Sequence, residues 1–203
     1  PNFIVILCDD LGYGDIEPTG GKAIPTPNLN RMARQGMVLT DYYAPANVCT
    51  PSRVGLLTGR YPIRSGLAAG VILQGDRRVL PTSEVTIPTA LKRAGYVSGL
   101  FGKWHLGHTG PDWRPTRHGF DQYFGIPYSH DMLPLTLITD HGQGSEPSFE
   151  EPVQSELQQR FYDEAVKFIE GNKDKPFFVK LALSAPHLEN YPNAKYRDPK
   201  MAS

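Results

Sequence analysis

Two adjacent carboxylates are the first residues of this sequence that could do chemistry. Asp9 and Asp10 come directly after the apolar run 3–8. Neighbouring carboxylates repel each other unless a positive charge lies between them, and their oxygens are hard ligands that suit Ca²⁺ or Mg²⁺. The pair therefore indicates an alkaline-earth site, although a solvated acidic turn is the simpler interpretation of an isolated Asp-Asp.

The second candidate is a cysteine at the start of a predicted helix. Cys49 precedes Pro51, a residue common at helix starts, and Gly59 is placed to end that helix. The helix N-terminus and Arg53 would both attract an anion. A free cysteine is more often a small buried apolar residue, and this is our interpretation of Cys8 inside the first predicted strand.

Four further polar residues lie near the ends of predicted strands or in loops. Lys103 and His105 follow the predicted strand 96–101, Ser129 stands in a later loop, and His187 follows the last predicted strand. A lysine can neutralise an anion, and a histidine can donate or accept a proton near neutral pH. Taken singly, a surface lysine and packed histidines would be the simpler interpretations.

Helices and strands alternate along the chain, which predicts an α/β fold. A mainly parallel sheet with helices on both faces would bring catalytic groups together at the carboxyl ends of its strands. The stretch 142–152 is rich in polar residues and glycine, and we expect an insertion or a flexible loop there. The predicted strands are 3–8, 38–43, 96–101 and 177–183, and the predicted helices are 27–35, 51–58, 87–94 and 154–169.

The bulk composition excludes several classes of function. The 203 residues carry 21 basic and 21 acidic side chains, so no basic surface for nucleic acid is expected. No apolar run approaches the roughly 20 residues that span a bilayer. The length suits one domain, and we assign residues 1–203 to it.

Three motifs resemble those of one enzyme family. One segment resembles the signature of the type I sulfatases. It begins Cys49-Thr50-Pro51-Ser52-Arg53 and, after four further residues, ends in Thr-Gly. The Gly-Lys-Trp-His-Leu-Gly segment at 102–107 is similar to a second hallmark of that family. The segment 124–131 resembles the arylsulfatase A group within it. The resemblance implies an alkaline-phosphatase-like sandwich with a mainly parallel sheet, and the hydrolysis of sulfate esters.

The resemblance also implies an unusual nucleophile. In this family a maturation enzyme oxidises the signature cysteine to formylglycine, whose hydrated aldehyde attacks sulfur, so Cys49 would be modified in the same way. One hydroxyl of the diol would form a sulfated intermediate, and loss of the proton of the other would expel sulfate. The implied metal ligands are Asp9, Asp10 and residue 49, holding Ca²⁺, with Mg²⁺ as the alternative.

The remaining catalytic roles are carried over residue by residue. Arg53 would hold and activate the diol, and Lys103 would neutralise a sulfate oxygen. His105 would take the proton whose loss expels sulfate. Ser129 would lie in the active site, and His187 would protonate the leaving alcohol oxygen.

Part of the family pattern is missing from this sequence. Family members continue into a later Asp-Asn-Gly segment that supplies further metal ligands, and no Asp-Asn pair occurs here. We therefore expect an incomplete catalytic domain. The resemblance favours an exported protein, periplasmic or secreted, or lysosomal in a eukaryote.

Two other functions stay open at this stage. A phosphonate or phosphate ester hydrolase of the same superfamily would use a similar cleft for a phosphoryl group. A catalytically inactive anion-binding module would result if Cys49 stays unmodified. The identity of the sulfate ester, whether aryl, sugar or glycosaminoglycan, depends on variable loops and stays open, as does the oligomeric state.

Overall fold

The fold is built on one mixed, mainly parallel sheet. The computed structural model describes residues 1–197, and within them six strands are ordered β1-β6-β2-β3-β4-β5. The first four strands of that order are parallel, and β4 and β5 are antiparallel to their neighbours. This arrangement confirms the predicted α/β class. The strands are β1 Phe3–Leu7, β2 Val97–Gly102, β3 Gln122–Gly125, β4 Leu137–Asp140, β5 Ser148–Glu150 and β6 Phe177–Ala182.

Helices cover both faces of the sheet and create two hydrophobic cores. The α-helices are α1 Pro27–Gln35, α2 Cys49–Thr58, α3 Ile87–Lys92 and α4 Leu157–Gly171. On one face, Phe161 and Phe168 of α4 pack with Val179 of β6. On the other face, Val54 of α2 packs with Phe178 of β6. Alternate residues of β6 thus enter opposite cores, and this strand is buried along its whole length.

The first strand differs from its expected burial. The apolar run predicts a buried strand, but Phe3, Ile4 and Ile6 are 43%, 51% and 53% exposed. The reason is position, because β1 forms an edge of the sheet and pairs only with β6 among the described residues. Cys8, predicted inside this strand and in the core, lies one residue beyond it and is only partly buried.

Two other expectations are wrong. Residues 38–43 form no strand, and Leu39 and Tyr43 are exposed, because the alternating pattern there has no partner strand to pair with. The stretch 142–152 is not loop throughout, since it contains the short strand β5 at the sheet edge.

A glycine sets the distance between two central strands where the site begins. Gly102 ends β2 with a φ of 116°, and a Cβ added there would lie 1.9 Å from the carbonyl oxygen of Ala182 in β6. Any side chain would force the strand ends apart. Directly after it, the backbone N–H of Lys103 donates to that same carbonyl, 2.8 Å away. The lysine therefore enters the site from a fixed position.

No helix among residues 1–197 is both long and apolar enough to cross a membrane. Residues 198–203, which belong to the predicted catalytic domain, lie outside the described residues.

Candidate active site

The loops after the parallel strands are held together by backbone hydrogen bonds. Asp9, two residues beyond β1, donates its N–H to the carbonyl of Ala185, which follows β6, at 3.0 Å. His105, beyond β2, donates its N–H to the carbonyl of Pro127, beyond β3, at 3.0 Å. The carboxyl ends of four parallel strands therefore meet in one place, as the sequence predicts.

Helix α2 is joined to these loops by two of its buried side chains. The Thr50 hydroxyl donates to the carbonyl of His105 at 2.9 Å and accepts from the N–H of Ile72 at 3.0 Å. Arg53 donates through Nη1 to the carbonyl of Lys103 and through Nη2 to Asp9 Oδ1, both at 2.9 Å. The first residue of the helix, Cys49, is thereby held at the strand ends.

Five of the predicted site residues form one contact cluster. Lys103 Nζ lies 2.5 Å from Asp9 Oδ2, 3.0 Å from Ser129 Oγ and 3.4 Å from Cys49 Sγ. The Cys49 thiol also lies 3.6 Å from Asp9 Oδ1, the oxygen that accepts from Arg53. The cluster thus places a carboxylate and two cations around a single sulfur atom.

The charges of the cluster set its protonation states. Burial alone would raise the pKa of Asp9, but the positive charges of Arg53 and Lys103 hold it at about 2. Burial raises the pKa of the Cys49 thiol, and the neighbouring Lys103 only partly opposes this. Near neutral pH the carboxylate is therefore ionised and the sulfur carries its proton. An unmodified Cys49 is not the ready thiolate that cysteine nucleophiles need.

His105 is a neutral, buried imidazole with one free nitrogen. Its pKa is lowered to about 3, first by burial and then by the charges of Lys103 and Arg53. Its Nε2 lies 3.0 Å from the carbonyl oxygen of Ile72, which only accepts, so Nε2 carries the proton. Nδ1 is buried and has no hydrogen-bond partner among residues 1–197. This nitrogen can accept a hydrogen bond, and the low pKa of the ring keeps it unprotonated near neutral pH.

The predicted metal ligands are only partly brought together. One ligand atom each of Asp9, Cys49 and His187 lies within 4.8 Å of the other two. Asp10 belongs to no such group within the described part of the chain; its side chain is exposed, and its Oδ2 lies 3.7 Å from His187 Nε2. His187 is thus placed between Asp10 and the cysteine cluster. The sequence alone did not predict it as a neighbour of the metal site.

Two residues beside the candidate site were not predicted, because their neighbours are distant in sequence. His130 is buried, and its ring lies 5.5 Å from that of His187. Asp131 Oδ1 is 3.9 Å from His187 Nδ1. The only sequence signal for these two residues is that they follow Ser129, and nothing in their spacing indicates the contact with the loop after β6.

A comparison with known proteins matches this chain over nearly its whole length. The family model described as Sulfatase matches residues 1–201. The chain is 48% identical over 141 residues to arylsulfatase A of Bos taurus, covering 68% of this chain and 28% of the bovine protein. It is 38% identical over 219 residues to arylsulfatase G of Homo sapiens, covering 93% and 41% of the two proteins.

A solved structure shares the fold. The crystal structure of the PsFucS1 sulfatase from Pseudoalteromonas sp. matches with a TM-score of 0.86 and 35% identity, over 97% of this chain and 46% of that one. The chain therefore spans less than half the length of each of these three proteins.

Proposed function

Because this chain belongs to the sulfatase family, we propose that it is part of the catalytic domain of an enzyme that hydrolyses sulfate esters. One observation carries the proposal. Cys49, in the family signature, shares a contact cluster with Asp9 and Lys103, which come from two other strand ends. An ionised carboxylate and an ammonium beside one nucleophile position suit the transfer of a tetrahedral anion.

The nucleophile of this reaction is formylglycine made from Cys49. The family generally uses this aldehyde, and the protonated state of the buried thiol supports the need for modification here. One hydroxyl of the hydrated aldehyde attacks sulfur, and the ester oxygen leaves with a proton. The second hydroxyl then gives up its proton, and its oxygen forms the carbonyl bond of the aldehyde. The bond between carbon and the sulfated oxygen breaks at the same time, so that sulfate departs.

Three residues of the contact cluster would act at the position of the diol. Cys49 Sγ occupies the place of the diol oxygens, and Lys103 Nζ, 3.4 Å away, would balance the charge that develops on the sulfuryl group. Ser129, 3.0 Å from the same ammonium, would orient the substrate. Arg53 would act on the diol at the helix N-terminus while its Nη2 fixes the carboxylate of Asp9.

Two histidines would act on the hydroxyl protons of the reaction. The buried Nδ1 of His105 is unprotonated and unpartnered among the described residues, so it could accept a hydrogen bond from the hydroxyl whose proton loss expels sulfate. The side chain of His187 is 20% exposed, which is a suitable position for protonating the leaving alcohol.

The donor atoms at the end of β1 fit a hard divalent cation. The carboxylates of Asp9 and Asp10 and a hydroxyl at residue 49 are oxygen donors of the kind that Ca²⁺ or Mg²⁺ prefers. Each oxygen of Asp9 that accepts from a cation keeps a second lone pair. Ca²⁺ takes roughly six to eight oxygens, so water, substrate and other parts of the full-length protein would supply the rest. When bound, the ion would supply positive charge to the sulfuryl group and the diol.

The names of the relatives indicate a broad substrate class. The relatives are named arylsulfatases and N-acetylgalactosamine-6-sulfatase, so aryl and sugar sulfates are the first compounds to test. A formylglycine-generating enzyme would be the maturation partner, and export from the cytoplasm would follow the family resemblance.

Mass spectrometry of the tryptic peptide from Gln35 to Arg53 tests the proposal. The full-length protein would be made in its own host or together with a maturation enzyme. Formylglycine at residue 49, with hydrolysis of an aryl or sugar sulfate, is the expected result. An unmodified thiol and no hydrolysis would instead support an anion-binding module. Faster hydrolysis of the matched phosphate ester would favour a phosphoryl hydrolase.

A further inference from the structure

A second cluster of metal-ligating side chains lies beside the proposed catalytic site. One ligand atom each of His130, Asp131 and His187 lies within 4.8 Å of the other two. His130 is only 5% exposed, whereas Asp131 has a side chain that is 43% exposed. The cluster therefore has a fixed, buried ligand and an open side through which an ion could enter.

Backbone carbonyls lie against one ring nitrogen of each histidine. His130 Nε2 lies 2.6 Å from the carbonyl oxygen of Glu189, and His187 Nδ1 lies 2.5 Å from that of Leu188. Because a carbonyl oxygen only accepts, His130 Nε2 carries the proton and its Nδ1 has the lone pair, which is the usual arrangement behind a metal-bound histidine. His187 Nδ1 is also the ring nitrogen 3.9 Å from Asp131 Oδ1, so an ion bound between them would replace the bond to Leu188.

The lone pair of the free ring nitrogen of His130 is not used by any other residue in the described part of the chain. Its Nδ1 is buried and has no hydrogen-bond partner there. A buried acceptor without a partner is unfavourable, unless an ion or a water molecule satisfies it. The ring centroids of His130 and His187 lie 5.5 Å apart, with the two rings nearly perpendicular. The carboxylate of Asp131 lies beside His187.

We propose that His130, Asp131 and His187 bind a transition-metal ion of the Zn²⁺ type, at a site distinct from the oxygen-rich Asp9 and Asp10 site. Two imidazoles and one carboxylate suit zinc with water in the fourth position, whereas calcium prefers oxygen alone. An ion held there would occupy the lone pair of His187 and so inhibit hydrolysis. This last consequence rests on the proposed function, but the binding does not.

Binding of Co²⁺ and Zn²⁺ to full-length protein, freed of any affinity tag, tests the site. The protein would carry Cys49→Ala, which removes the nearby thiol and abolishes the proposed reaction, so that binding is measured apart from catalysis. Excess Ca²⁺ would fill the oxygen-rich site. We expect one equivalent of Co²⁺ with the visible spectrum of a nitrogen- and oxygen-ligated ion, displaced by Zn²⁺ in calorimetry.

Two variants and a control decide whether these residues bind the ion. Asp131→Asn, at an exposed position, and His130→Gln should each weaken Zn²⁺ binding by about 10- to 100-fold. His141→Gln removes an exposed histidine outside the cluster and should leave the affinity unchanged. Absence of binding, or equal affinity in Asp131→Asn and its parent, would overturn the proposal.

Discussion

Lys103 Nζ and Asp9 Oδ2 form an ion pair of 2.5 Å whose side chains are 0% and 6% exposed. The two residues follow β2 and β1, and β6 lies between those strands, so the pair spans the end of the central strand. Removing two charges from water is costly unless further hydrogen bonds satisfy them. Here Arg53 donates to Asp9, and Ser129 lies 3.0 Å from the lysine ammonium.

Lys103→Met should destabilise the full-length protein and nearly abolish hydrolysis. The substitution leaves the buried Asp9 with Arg53 as its remaining cation, a change that typically costs about 3–5 kcal/mol. Urea unfolding and turnover of an aryl sulfate measure the two effects. Lys92→Met breaks an exposed pair with Asp121 and should cost less than about 1 kcal/mol without loss of turnover. Equal effects of the two substitutions would contradict this account.

Much of the fold could be predicted from sequence because two of its central strands, β2 and β6, are mostly apolar runs. β2 and β6 lie within one residue of their predicted bounds, and α2 begins at Cys49 itself. β3, β4 and β5 have only three or four residues each, too few to produce a periodic signal.

Site residues could be predicted where they belong to a sequence motif. They could not be predicted where their role depends on how the folded chain buries them. Cys49 and Lys103 stand in motifs, and the structure joins them. His130 becomes notable only because the loop after β6 folds over it and leaves Nδ1 unpartnered among the described residues. Lys180 interrupts an apolar strand, and its environment depends on neighbours across the sheet. Such properties come from tertiary contacts, which local sequence does not contain.

If the proposed sulfatase activity is correct, Cys49→Ser should give a protein that reacts only once. A serine could accept the sulfuryl group, but it has no second hydroxyl to expel sulfate, so the ester would accumulate. We expect no more than one equivalent of alcohol released, with the sulfated peptide detected by mass spectrometry. Cys8→Ser, at a cysteine outside the contact cluster, should turn over repeatedly. Repeated turnover by Cys49→Ser would exclude the diol mechanism.

Thr50→Val should weaken the attachment of α2 to the loop that carries His105. The hydroxyl donates to the His105 carbonyl and accepts from the N–H of Ile72, and valine can do neither. Leaving two buried backbone groups unpaired should cost about 1–3 kcal/mol for each group and lower kcat, as measured by urea unfolding and steady-state assays. Thr58→Val on the same helix loses a bond to the Val54 carbonyl and an exposed one from the N–H of Arg60, and should cost less because water can replace them. A neutral effect of Thr50→Val would show that Thr50 does not position His105.

Lys180 lies in the middle of β6, and no acidic side chain of residues 1–197 forms an ion pair with it. It is 1% exposed, and its Nζ has no hydrogen-bond partner among residues 1–197. Burial, and to a lesser extent the charge of Arg53, lowers the pKa of Lys180 to about 7. A fully buried ammonium is costly, so this residue opposes folding wherever the unfolded chain holds the proton.

Lys180→Met should therefore stabilise the protein near neutral pH and remove part of its pH dependence. Between about pH 7 and pH 10 the unfolded chain retains a proton on Lys180 that the folded chain has lost. The free energy of unfolding of the wild type therefore rises with pH in this range, by up to about 1.4 kcal/mol per pH unit. Methionine has a similar volume and no proton, so the difference between the two proteins should shrink as pH rises. Urea unfolding at about pH 7 and about pH 9.5 measures it, with the exposed Lys167→Met as control. If Lys180→Met is less stable than wild type at neutral pH, the ammonium has a partner that contributes to folding.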